Sequence, residues 1–169
     1  MHKLKLVIKA FLCSSILFLS QSAFKTIDAS HVSEQGITPD MILHYVNEYR
    51  AQRHLPPLKM NSVISAEAAH HSLAMAKKSI PFGHSYFNTR IQHINNEIKE
   101  YKAGAENVAY YKTNAKKLVD AWISSPGHRR NILGNYNLTG IGIAYGKSGW
   151  AYYTQIFVRK DEAKRKSVS

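Results

Sequence analysis

Cysteine is nearly absent, acid is scarce and no apolar run is long. Cys13 is the one thiol in 169 residues, so an internal disulfide framework is excluded and stability must come from a packed core. Asp and Glu number 11 against 23 Lys and Arg, for a formal net charge of +12. No uninterrupted apolar stretch reaches the ~20 residues that a spanning helix requires. With 44% hydrophobic and 20% charged residues, wholesale disorder, collagen-like structure and coiled coil are also excluded. The length suits one ordinary domain.

The start of the chain has the order of an export signal. Met-His-Lys-Leu-Lys precedes an apolar stretch from Leu6 to Leu19, interrupted by Lys9, and Ser20-Gln21-Ser22-Ala23 follows. A basic start, a short apolar core and small residues predict a secretory signal peptide over residues 1–22, cleaved after Ser22. The competing reading is an uncleaved anchor. Phe11-Leu12 before Cys13 lacks the small residues of a lipoprotein box. Cleavage would remove Lys3, Lys5, Lys9 and the sole cysteine, lowering the formal charge from +12 to +9. The expected destination is secreted or periplasmic, with no transmembrane segment after cleavage.

Residues 23–36 read as a polar linker, 37–159 as the domain and 160–169 as a charged tail. Thr38-Pro39-Asp40 has the chemistry of a helix start: a hydroxyl cap, proline at the first position and acid on the positive dipole end. Ile42, Val46 and Tyr49 continue at helical spacing, and Leu55-Pro56-Pro57 bars further helix. A second helix is expected from Asn61 or Ser62 to about Lys78, with Ile64, Ala68, His71 and Met75 on one face. His71 on that stripe reads first as a hydrogen-bonded core histidine. Residues 80–112 read as irregular, with a short helical piece near Thr89–Glu97. A third helix is expected over Asn114–Ser124, ended by Pro126-Gly127. Leu138–Tyr145 and Trp150–Val158 read as strands joined by a Gly146-Lys147-Ser148-Gly149 turn. Helices followed by a terminal hairpin predict an α+β domain with a largely antiparallel sheet.

Three segments place ionisable groups among glycines and small residues: Pro81-Phe82-Gly83-His84-Ser85, Gly104-Ala105-Glu106-Asn107 and Ser124-Ser125-Pro126-Gly127-His128-Arg129-Arg130. Such loop segments are where functional groups concentrate, although each residue alone also reads as a turn or cap. Glu67 and His71 share a helix face, yet no HExxH spacing exists, so a zincin site has no support.

These segments, with Asn47-Glu48-Tyr49-Arg50-Ala51, Leu55-Pro56-Pro57-Leu58, Asn131-Ile132-Leu133, Gly140-Ile141-Gly142 and Tyr153-Thr154-Gln155-Ile156-Phe157, run in one order over residues 37–159. Together they resemble the secreted CAP proteins, also called SCP-like or pathogenesis-related-1-like domains, in their bacterial branch. The resemblance implies a three-layer α-β-α sandwich and, from many eukaryotic members, a cleft with a His-Glu-Glu-His tetrad. His84 matches the first histidine and Glu106 the first glutamate. Ser125 stands where the second glutamate would fall, and Tyr152 where the second histidine would fall. His128, part of the bacterial motif, is the candidate to reach the same cleft from another loop.

His84, Glu106 and His128 are thus the candidate catalytic residues and the candidate ligands for a divalent cation such as zinc, which takes at least three protein groups. Asn107, Ser125, Tyr152 and Gln155 are the expected cleft supports. Without metal, Glu106 would orient an imidazole that acts near neutral pH. One expectation is therefore a metal-binding, hydrolytic cleft. The alternative is a non-enzymatic module for a lipid-like ligand, a protein partner or an anionic envelope or host surface. No nucleic-acid motif is present, and a monomer is expected.

Overall fold

The structure, a computed structural model, describes residues 36–161. The expected signal peptide, nearly all of the linker and residues 162–169 of the tail lie outside the described residues. In chain order the elements are α1 (Pro39–Ala51), β1 (Lys59–Met60), α2 (Ser62–Ala76), α3 (Phe87–Glu97), β2 (Tyr101–Tyr111), α4 (Ala115–Ser124), α5 (Pro126–Ile132), β3 (Leu138–Tyr145) and β4 (Ala151–Lys160).

Local chemistry accounts for most of the boundaries. The Thr38 hydroxyl accepts from Met41 N–H, with Pro39 in the first turn of α1. Asn61 and Asn114 cap α2 and α4 through their side-chain oxygens, which satisfies donors that a helix start leaves orphaned. Gly146 N–H donates to Trp150 O at 2.8 Å and closes the expected hairpin.

Two expectations are corrected. Residues 101–111, read as irregular, form the longest strand. Its Ala-Gly-Ala-Glu-Asn centre has weak strand propensity, and pairing along the whole of β4 overrides that preference. Gly104 relieves crowding inside it, since a Cβ there would lie 2.7 Å from the tip of the Ile91 side chain and 3.3 Å from Phe157 O. Pro126 does not simply end a helix; it occupies the first turn of the new helix α5, where its missing donor costs nothing.

The sheet order is β1-β3-β4-β2. The β2–β4 and β3–β4 pairs are antiparallel, and the two-residue β1 joins β3 in parallel. Alternation along β4 sorts the helices into layers. Ile156 and Val158 pack with Ile64, Ala68 and Ile94 of α2 and α3. Tyr153 and Phe157 pack with Ile42, Val46, Leu118 and Trp122 of α1 and α4. The result is an α+β domain with helices on both faces of a mostly antiparallel sheet.

The α2 layer sits unusually close to β3. A Cβ on Gly140 would lie 2.2 Å from the Ile64 backbone, and one on Gly142 would lie 2.2 Å from Ala68. Glycine is therefore needed here for helix–sheet approach, and Ser72 Oγ uses it to reach Gly142 O at 3.1 Å and Thr154 Oγ1 at 2.8 Å. On the other side, Arg50 is fully buried and donates to four carbonyls, those of Pro56, Ile132, Gly134 and Tyr136. A basic side chain at the end of α1 would ordinarily serve the helix dipole. The guanidinium is instead a clamp between α1 and the segment after α5.

Candidate active-site cleft

Glu106 lies near the middle of β2, opposite Ile156, so its side chain points into the α2/α3 layer. Its carboxylate is almost wholly removed from water, with 1% side-chain exposure. A buried carboxylate requires a partner, and that partner comes from α3. Arg90 Nη2 donates to Oε1 at 2.8 Å and to Oε2 at 2.7 Å, and Nε donates to Oε2 at 3.0 Å. Arg90 was not singled out in the sequence. Its position within an amphipathic helix resembles an ordinary solvated arginine, and only the fold reveals the buried pairing.

The same carboxylate receives His84. Nδ1 of His84 lies 2.9 Å from Glu106 Oε1, while the imidazole remains 53% exposed. Because a carboxylate accepts, Nδ1 carries the proton in this pair, and Nε2 is left unengaged.

The loop bearing His84 is pinned at two carbonyls. Buried His71 places Nε2 2.9 Å from Gly83 O, and Arg90 Nη1 donates to Ser85 O at 2.6 Å. A carbonyl cannot donate, so His71 is protonated on Nε2. Its buried Nδ1 has no hydrogen-bond partner. Burial is the main force holding the His71 imidazole below its ordinary pKa; the nearby Arg90 and His84 charges also lower it, while the Gly83 bond and Glu106 oppose them. The side chains between and beside these anchors face solvent: His84, and Phe82 and Tyr86 on either side, are all exposed.

His128 approaches from α5. It is half-buried, and its pKa is lowered first by burial and then by the His84 charge, which places the two imidazoles within electrostatic reach. α5 is held against β2 by amides: Asn107 Nδ2 donates to His128 O at 3.2 Å. Asn131 Nδ2 donates to Glu106 O at 3.1 Å and to Asn107 Oδ1 at 2.9 Å. β2 is an edge strand, and the bond to Glu106 O satisfies a main-chain group that an open edge leaves exposed.

Of the expected cleft supports, Asn107 holds the helix that carries His128, and the others fall elsewhere. Asn107 and Gln155 face each other across β2 and β4, on the sheet face opposite Glu106. Gln155 donates to Thr139 Oγ1 at 3.2 Å within the α1/α4 layer and does not line the cleft. Ser125 links α4 to α5 as the backbone cap of both and makes no side-chain capping bond. Tyr152 shares the Glu106 face but stacks on Tyr110, four positions further along β2.

The donor set does not fit a resident zinc ion. Both Glu106 oxygens are engaged by Arg90, whose positive charge also opposes a cation. His84 Nε2 and His128 remain, one short of the three protein ligands that such sites use. Among the described residues no group of three or more His, Cys, Asp or Glu side chains is arranged to hold a metal. Arg90 is thus the functional neighbour that the sequence did not bring forward, and burial of Glu106 is the fact that implicates it; Asn131, named in the sequence only as part of a motif, joins the site through the Glu106 main-chain carbonyl.

Comparison with known proteins agrees with this architecture. The model of the cysteine-rich secretory protein family, CAP, matches residues 43–157. The uncharacterized protein YkwD of Bacillus subtilis is 32% identical over 121 residues, covering 70% of this chain and 46% of YkwD. The uncharacterized membrane protein YlbC of the same species is 25% identical over 130 residues, covering 75% of this chain and 36% of YlbC. The chain thus spans less than half the length of these curated relatives. A cysteine-rich secretory protein from Staphylococcus aureus superposes with a TM-score of 0.59 at 28% identity, over 76% of this chain and 41% of that one. An outer surface protein of Borrelia burgdorferi shares the fold, with a TM-score of 0.62 at 18% identity over 72% and 93% of the two chains. No described helix is long and apolar enough to cross a membrane. By its family match, its relatives and its fold, the chain belongs to the cysteine-rich secretory protein (CAP) family.

Proposed function

We propose that this chain is an exported CAP domain that acts by binding, with His84 and His128 as its ligand-contacting pair. The observation that carries this reading is the saturation of Glu106 by Arg90. A carboxylate held by a bidentate guanidinium is a fixed anchor for His84, and it is unavailable as a metal ligand or as a general base. Burial keeps His128 neutral near pH 7, so it offers a hydrogen bond without the desolvation cost of a charge. Export is supported by the basic and apolar start of the sequence. The secretory and surface descriptions of the Staphylococcus and Borrelia proteins point the same way.

The competing reading, a zinc-dependent hydrolase, makes a measurable demand. A metal that binds only the folded state, at 100 times its dissociation constant, stabilises it by about 2.7 kcal/mol. Thermal unfolding of wild type, His84→Ala and His128→Ala is measured with and without zinc. Equal and small shifts in all three are expected. A large wild-type shift that disappears in both variants would replace the binding reading with a metal site.

A further inference from the structure

Beyond the cleft, the exposed aromatic side chains are not scattered. Seven large hydrophobic residues are exposed among the described residues; Phe82, Tyr110, Tyr111 and Trp150 lie in one ring cluster, and Leu73 and Tyr145 line the groove beside it. Tyr110 and Tyr152, opposite each other on β2 and β4, have ring centroids 4.4 Å apart. Trp150 lies 4.9 Å from Tyr110, and Tyr111 lies 6.4 Å from Trp150. Phe82 lies 6.4 Å from both Tyr110 and Tyr152. These rings form one connected platform, and a clustered exposed patch is a binding signal where single exposed residues are not.

Beside the platform runs a groove of about 670 Å³, lined by Tyr110, Tyr145 and Tyr152 and by Lys77, Lys78 and Lys147, with no carboxylate among its lining residues. Ring faces together with ammonium groups select a particular chemistry. Purely apolar ligands leave the lysines unmatched, and a polyanion without rings leaves the platform unused. A carbohydrate chain bearing carboxylate groups matches both, since sugar C–H faces stack on aromatic rings and the acids meet the lysines.

We propose that the Phe82–Tyr110–Tyr152–Trp150 platform and its lysine-lined groove form a binding site for an acidic glycan, separate from the His84 cleft. Lys78 supplies a clean variant. It follows α2 in the left-handed region with φ of 59°. Lys78 N–H bonds to Met75 O, and Ser79 N–H bonds to Ala74 O. This is the helix-ending position that glycine favours. Lys78→Gly should therefore raise the melting temperature while removing a groove charge.

Binding is read by tryptophan fluorescence. The chain has two tryptophans; Trp122 is 2% exposed and Trp150 is on the platform, so a bound ligand reports through Trp150. The probes are hyaluronan oligosaccharides, neutral dextran and polyglutamate. Saturable quenching by hyaluronan alone is expected, weakened about fivefold in Lys78→Gly and lost in Tyr110→Ser with an unchanged circular dichroism spectrum. Equal binding of dextran would overturn the role of charge, and equal binding of polyglutamate would overturn the role of the rings. No response to hyaluronan, or an unweakened Lys78→Gly, would overturn the site. The zinc test bears on the cleft and these probes on the platform, so either reading can fail alone.

Discussion

Replacing Arg90 by methionine keeps much of the side-chain volume and removes the guanidinium that neutralises Glu106. The two partners are 8% and 1% exposed, so the carboxylate left behind cannot be rescued by water at its own position. Breaking a buried pair in this way costs about 3–5 kcal/mol, a large share of the ~5–15 kcal/mol that holds a domain together. The lost Arg90 bond to Ser85 O at 2.6 Å adds to the cost and frees the His84 loop. Removing both charges, in Arg90→Met with Glu106→Leu, leaves no stranded ion and should cost less than the two single changes together. A coupling energy of at least ~2 kcal/mol is expected from a pair in direct contact. Urea unfolding of the four proteins at pH 7 measures it, with midpoint shifts of order 2 M for the single variants at constant slope. An Arg90→Met cost below about 1 kcal/mol, or strict additivity, would show that the pair is not the structural centre of the cleft.

Three other perturbations follow from the same geometry. Arg50→Ala strands the carbonyls of Pro56, Ile132 and Tyr136 and leaves Gly134 O only its bond from Tyr136 N–H, and chemical denaturation should show a loss of at least ~3 kcal/mol. Gly142→Ala forces a methyl to within 2.3 Å of α2 backbone atoms; a melting-point drop corresponding to ~1–3 kcal/mol or more is expected, since backbone cannot step aside as a side chain can. His71 has a folded-state pKa below its unfolded value. The unfolded chain therefore binds its proton first, stability is full above about pH 6.5 and falls as pH drops toward the folded pKa. Melting curves from pH 8 to 5 should show that decline, and His71→Gln should reduce its slope.

Where a structural rule acts locally, the sequence is legible. Thr38-Pro39, Asn61 and Asn114 announce helix starts through short side-chain caps, and Gly146 to Gly149 announces a hairpin. β2 is not legible in that way. Its Ala-Gly-Ala-Glu-Asn centre becomes a strand only because β4 pairs with it along its length, and that partner lies about fifty residues away in the sequence. The candidate site divides similarly. His84 and Glu106 stand out because an ionisable group among glycine and alanine is unusual, and they meet at 2.9 Å. Arg90 does not stand out, since its burial arises only when α3 closes over β2. Gln155 lies within a recognisable motif, yet strand alternation turns it to the opposite face from Glu106. The signature thus reports the sheet there rather than the cleft.

The central geometry is the His84–Glu106–Arg90 chain, and the protonation of His84 tests it most directly. Long-range proton–nitrogen correlation spectra recorded near pH 8.5, about two units above the ordinary imidazole pKa, distinguish the two neutral tautomers. A proton on Nδ1 of His84, with Nε2 bare, is the expected result, alongside the opposite tautomer for His71, whose Nε2 faces Gly83 O. A His84 imidazole protonated on Nε2 would contradict the geometry, because Nδ1 would then present a lone pair to the Glu106 carboxylate, leaving the anchor unmade.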